Sequence, residues 1–103
     1  MRGTPASPGR VTGPARVVLG LDELDHLRDG EILVCPLTTP AWTPAFARAA
    51  AIVTDTGSIA SHSSIVAREY GIPAVVGVGD ATTRFRDGQS LTVDGSAGVV
   101  EVA

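Results

Sequence analysis

Hydrophobic positions in this chain fall into short uninterrupted runs separated by turn-forming residues. Ala15–Leu19 reads as a short β-like run, Ile32–Cys35 as an apolar run of buried-strand length, and Ala51–Thr54 and Ala74–Val76 as further short strands. Segments of helical spacing lie between them. Leu21, Leu24 and Leu27 share one side of a stretch whose other side carries Asp22, Glu23 and Asp25. Thr39-Pro40 reads as an N-cap with proline at the first helical position, which predicts a helix to about Ala50. Thr43-Pro44 is an equally good start for it. Another helix is predicted from His62 to Tyr70, stopped by a left-handed Gly71 and by Pro73. A short helix or turn spans Asp80–Phe85. Leu91–Val93 and Val99–Val102 flank Asp94-Gly95, the pattern of a hairpin. Residues 3–14, rich in Gly, Pro, Ser and Thr, read as an extended opening segment, and Asp29-Gly30 as a turn.

Strands alternating with helices predict an α/β fold with a mainly parallel sheet packed on helices. The 103 residues suffice for one domain, 1–103, with one modest core. With aromatics at only 4%, that core must be made of Ala, Val, Ile and Leu. The net charge of −3 and the lack of any Lys/Arg block argue against nucleic acid as a partner. No run is long enough to span a bilayer, which argues against a membrane role, and MRGTPASPGR lacks the apolar core of a signal peptide. Cys35 is the single cysteine, so an internal disulfide is impossible and a cytoplasmic location is expected. Its place in the run ILVC predicts a buried structural thiol.

The chemistry concentrates in GSIASHSSIVAREYGIP, Gly57 to Pro73. His62 stands at the start of the predicted helix, among the hydroxyls of Ser61, Ser63 and Ser64. The unpaired N–H groups and the positive end of the helix dipole suit a phosphate there. Imidazole is also a competent nucleophile. Gly57 permits unusual backbone angles and close approach. A Ser-His hydrolase is disfavoured, because adjacent Ser and His do not line up for proton transfer and no Gly-x-Ser-x-Gly elbow occurs. A metal centre is disfavoured too: only His26, Cys35 and scattered carboxylates could supply further ligands. His26 lies in an acidic, polar segment and should be exposed. Trp42 reads as core or interface.

GSIASHSSIVAREYGIPAVVGVGDAT resembles the phosphohistidine signature of the mobile domain of the phosphoenolpyruvate-utilising enzymes. These include phosphoenolpyruvate synthase, pyruvate phosphate dikinase, enzyme I of the sugar phosphotransferase system and rifampicin phosphotransferase. The family pattern is Gly-Gly-x-Thr-Ser-His, two small residues, two aliphatics, a small residue and Arg. Gly57, Ser61, His62, Ser63, Ser64, Ile65, Val66, Ala67 and Arg68 match it. Ser58 replaces the second glycine and Ala60 the usual hydroxyl residue. ASPGRVTGPARVV, EILVCPLTTPAWTPAF and DGQSLTVDGSAGVVEV resemble the family's opening strand, the strand and Thr-x-Pro loop before the histidine, and the closing hairpin.

The resemblance implies a single swivelling β/β/α phosphohistidine domain. His62 would accept a phosphoryl group and pass it on. Helix amides, Gly57 and the hydroxyls of Ser61 and Ser63 would surround the phosphate, with Thr38 or Thr39 approaching from the neighbouring loop. Arg68 is a candidate charge partner for phosphate, or else structural through an ion pair with Glu69 or Asp55, or a partner contact. The chain lacks a Gly-rich loop with Lys and has no room for a nucleotide-binding domain. It is therefore expected to bind no cofactor itself. ATP and Mg would sit on an ATP-grasp partner, and the acceptor substrate on another domain or subunit. The alternatives are a non-catalytic interaction module and an anion-binding domain of the same fold.

Overall fold

A computed structural model describes all residues from Met1 to Ala103. Seven strands form one sheet in the order β1-β5-β4-β3-β2-β6-β7. They are β1 Thr4–Ser7, β2 Arg10–Val17, β3 Ile32–Cys35, β4 Ala51–Thr54, β5 Ala74–Val76, β6 Ser90–Asp94 and β7 Val99–Val102. The central four, β2, β3, β4 and β5, run parallel to their neighbours. The flanks are antiparallel: β1 on β5, β6 on β2, and β7 on β6.

The sheet curls until its ends meet. Arg2 bridges Val99, and the Gly3 N–H donates to the Gly98 carbonyl at 2.9 Å. Side chains alternate across the central strands, so each run feeds two cores. Leu33, Cys35, Ile52, Ala74 and Val76 pack on one face with Trp42, Phe46 and Ala67. Ile32, Val34, Ala51, Val53 and Val75 pack on the other with Phe85, Leu91, Val93 and Val100. Burial on both faces explains why the strands read as continuous apolar runs rather than as alternating ones.

Three short helices accompany the sheet: α1 Thr43–Phe46, α2 His62–Tyr70 and α3 Ala81–Arg84. Helix α2 begins and ends where the sequence predicts. Gly71 closes it at φ 69°, and the Ile72 N–H reaches back to the Ala67 carbonyl. The segment 21–27 with helical spacing is a 3-10 helix over Leu21–His26.

The helix expected from Pro40 to Ala50 is shorter and broken. Pro40–Trp42 forms a 3-10 turn and Thr43–Phe46 a single α turn. Pro44 brings no N–H to sustain a longer helix. The chain beyond Phe46 is instead drawn to the start of β3: Gly30 N–H donates to the Arg48 carbonyl, and Ala50 N–H to the Glu31 carbonyl. The opening segment contains β1 and most of β2, so the strand expected from Ala15 in fact starts at Arg10. The predicted hairpin is β6–β7, its turn held by Asp94 Oδ1, which accepts from the N–H groups of Ser96 and Ala97.

In the parallel part of the sheet the loops after β3 and β4 emerge at one edge. The first carries Thr38 and the second leads into His62. Parallel topology thus brings together two polar segments 24 residues apart in sequence.

Candidate functional site

His62 is the first residue of α2, with Ser61 at the N-cap in extended conformation. No side chain caps this end. The Ser61 Oγ donates to the Ser58 carbonyl at 2.8 Å and meets Ser64 Oγ at 3.1 Å, turning away from the helix amides. The first intrahelical bond is Ile65 N–H to the Ser61 carbonyl, at 3.1 Å. The N–H groups of His62, Ser63 and Ser64 therefore have no acceptor within the domain. Three free amides at a helix start form an anion-ready mouth.

The imidazole is held on one side only. Its Nδ1 lies 2.8 Å from Thr38 Oγ1, which in turn lies 2.6 Å from Ser63 Oγ. Thr38 and Ser63 are both buried, whereas His62 is part-exposed. The Phe46 ring meets the imidazole edge-on, with centroids 6.0 Å apart and planes at 83°. Tyr70 packs behind Phe46 at 6.1 Å. The Nε2 makes no hydrogen bond within the domain.

The loop before the histidine is exposed but tightly knotted. The Ser58 carbonyl accepts from Ser64 Oγ at 2.6 Å as well as from Ser61 Oγ and Ser61 N–H. Gly57 sits at φ 127°, and a β-carbon on it would lie 3.1 Å from Ser61 Oγ. Glycine is favoured there by its positive φ, and a side chain would also crowd Ser61. No non-glycine residue has positive φ, so Ser58 fits the loop without strain.

The expected residues take distinct positions. Thr38, not Thr39, meets the imidazole; Thr39 is exposed and leads into the Pro40–Trp42 turn. The Ser63 hydroxyl is turned inward to Thr38. Arg68 forms no ion pair with Glu69 or Asp55: its guanidinium donates to the carbonyls of Ala6 and Ile59, and Asp55 instead accepts from Thr82. Trp42 is buried in the core and His26 is exposed. Cys35 is fully buried, and burial reinforced by the charge of Asp55 pushes its thiol far above the usual range. No three His, Cys, Asp or Glu side chains converge into a metal-binding set.

Sequence reasoning did not find Phe46 as a neighbour of His62, since a single helical turn carries no periodicity to orient it. Nor did it find the pair Arg16–Glu31, at 2.9 Å, with Glu31 buried. Burial raises the Glu31 pKa, but the Arg16 guanidinium and the Arg28 N–H outweigh this and hold the carboxyl below its ordinary range.

A curled α/β sheet presenting an imidazole beside an uncapped helix start defines a class of domain. The sequence profile of the PEP-utilising enzyme, mobile domain, matches residues 27–98. The chain belongs to that family. It is 52% identical over 100 residues to an uncharacterized phosphotransferase, YvkC, of Bacillus subtilis (strain 168), covering 97% of this chain and 12% of that protein. It is likewise 52% identical over 101 residues to phosphoenolpyruvate synthase of Aeropyrum pernix, with the same coverage. A solution structure of Enzyme I superimposes with a TM-score of 0.67 at 34% identity, over 77% of this chain and 33% of that one. The chain thus spans about an eighth of the length of the curated relatives it matches. No helix is long and apolar enough to cross a membrane.

Proposed function

We propose that this domain is a phosphoryl carrier and that His62 Nε2 is the atom that carries the group. The observation that supports this most is the asymmetry of the ring: Nδ1 is held by Thr38 while Nε2 has no partner, on a residue that opens a helix with three unpartnered amides. In the productive arrangement Nδ1–H donates to Thr38 Oγ1, and the lone pair stands on Nε2. That pair attacks the phosphorus of the donor. The N–P bond forms as the P–O bond to the leaving group breaks. In the second half the acceptor oxygen attacks phosphorus, the N–P bond breaks, and its electrons return to Nε2.

The amides of His62, Ser63 and Ser64 receive the non-bridging oxygens, which repel one another less when each meets a donor. Ser61 Oγ and Gly57 border the same mouth, within reach of a phosphoryl group after a side-chain rotation of Ser61. Ser63 acts through Thr38. Thr39 is left to contact the docked partner.

Phosphoryl transfer from a nucleotide needs metal ions and cationic groups around the phosphates, and the sequence offers no Gly-rich loop with Lys to gather them. We therefore assign ATP and Mg to an ATP-grasp partner domain and the final acceptor to another domain or subunit. The domain alone is not competent for turnover.

Labelled ATP with the cognate ATP-grasp protein tests this reading. The expected product is one acid-labile, base-stable phosphate on His62, absent from His62→Ala, whose thermal unfolding stays close to wild type. Undiminished labelling of His62→Ala, or no labelling of the wild type, would overturn the proposal; in the latter case non-covalent anion binding at the same mouth becomes the better reading.

A further inference from the structure

Arg68 lies in the last turn of α2, yet its side chain reaches back past the start of the helix. One guanidinium nitrogen, Nη1, donates to the Ala6 carbonyl at 2.9 Å, and Nη2 donates to the Ile59 carbonyl at 3.0 Å. These acceptors belong to two separate segments. Ala6 is the residue skipped in the β1–β5 register, where Pro5 faces Val75 and Ser7 faces Ala74. A bulge leaves its extra residue outside the ladder, and here the guanidinium takes the freed carbonyl. Ile59 stands in the exposed loop between β4 and α2.

The other hydrogen bonds of Ser58–Ser61 all stay within residues 58–65. Arg68 makes the only hydrogen bonds from this loop to the sheet edge. No carboxylate lies within ion-pair distance of its guanidinium. A lysine would offer one compact, freely rotating ammonium, whereas here two separate nitrogens of a rigid plane each serve one segment, a geometry only the arginine fork holds fixed.

We propose that Arg68 is a positioning residue for His62. It staples the Ser58–Ser61 loop to β1, so that the free amides of α2 and the Nε2 of His62 open onto the same space. The inference rests on the carrier reading for its purpose, but its geometry is separable from it. The fork, rather than the charge alone, does the positioning.

Arg68→Ala and Arg68→Lys test the staple with two readouts. The first is amide exchange at Ser61 and Ile65, compared with Val34 and Val53 in the central strands, which report any global loss of stability. The second is the rate of phosphorylation by phosphoramidate, a small donor that needs no protein partner. Imidazole nitrogen displaces ammonia at phosphorus, forming the N–P bond and releasing NH3.

For Arg68→Ala, exchange at Ser61 and Ile65 should rise about tenfold with the strand amides unchanged. Phosphorylation should fall about tenfold. Arg68→Lys keeps the charge without the fork and should recover less than about half of that loss on a logarithmic scale. Added guanidinium ion should restore much of the rate of Arg68→Ala. Unchanged exchange at Ser61 and Ile65 in Arg68→Ala, or a wild-type rate in Arg68→Lys, overturns the staple. If the wild type takes no phosphoryl group from phosphoramidate, the carrier reading fails, and exchange alone then decides whether the staple exists.

Discussion

Two buried polar clusters in this domain are built to opposite ends. In one, Glu31 is enclosed by Arg16 on both carboxylate oxygens, at 3.2 and 2.9 Å, and by the Arg28 N–H at 2.7 Å. Opposite charges meet and the cluster closes on itself. In the other, Ser63, Thr38 and His62 form a chain of hydroxyls and an imidazole that ends at an Nε2 with no partner in the domain, at the start of a helix whose first amides have no acceptor. The first is complete without a partner. The second leaves groups open to solvent or to an incoming ligand, since His62 is part-exposed and the loop before it exposed.

The largest effect should come from cutting the open chain next to the ring. Thr38→Val removes the hydroxyl that holds Nδ1 and frees the imidazole to turn. One hydrogen bond to a group that becomes charged in the transition state is worth about 1.5–3 kcal/mol, so phosphorylation of His62 should slow about ten- to a hundredfold. The midpoint of thermal unfolding should fall as well, because the buried Ser63 hydroxyl loses its partner, at a cost of about 1–3 kcal/mol. A wild-type rate, measured by 31P NMR with phosphoramidate, would show that Phe46 alone orients the ring.

A smaller effect is expected one step further along. Ser63→Ala leaves Thr38 in place but removes its buried partner. Phosphorylation should slow several-fold, less than in Thr38→Val. A neutral hydrogen bond contributes about 1 kcal/mol, which corresponds to roughly fivefold in rate. If Ser63→Ala is as damaging as Thr38→Val, the two hydroxyls act as one unit.

Breaking the closed cluster should leave the rate unchanged. Glu31→Gln ought to lower stability by about 1–2 kcal/mol at neutral pH through the loss of a charge-assisted bond. The sign with pH follows from the depressed carboxyl of Glu31. Its stabilisation is present above the unfolded carboxyl range, about pH 4.3. It is lost as pH falls through the lower folded value. The gap in melting temperature between wild type and Glu31→Gln should therefore be widest near neutrality and narrow in acid. A gap constant from neutrality down to about pH 3 would mean that shape rather than charge makes the contribution.

The strands ILVC, AIVT and AVV were legible because burial on both faces writes uninterrupted apolar runs. Helix α2 was legible from its glycine stop and from the polar residues before it. The segment after Pro40 misled, because Thr-Pro and Ala-rich spacing satisfy local helix rules while the start of β3 claims the backbone near Arg48 and Ala50. His62 could be picked out by its position among serines. The inward turn of Ser63, the contact with Phe46 and the reach of Arg68 to Ala6 depend on segments far apart in the chain, and no local pattern encodes them.

The curl of the sheet has a consequence for how the domain joins other polypeptide. Met1 and Val100 exchange backbone hydrogen bonds in both directions, at 2.6 and 2.8 Å. The two ends of the described chain therefore lie side by side. Any sequence continuing from both would enter and leave through one doorway, and placing the domain inside a longer chain would close a loop of almost no span, at little entropic cost. The flanks would then act as a single tether, leaving the body free to turn about one point while its internal geometry stays fixed.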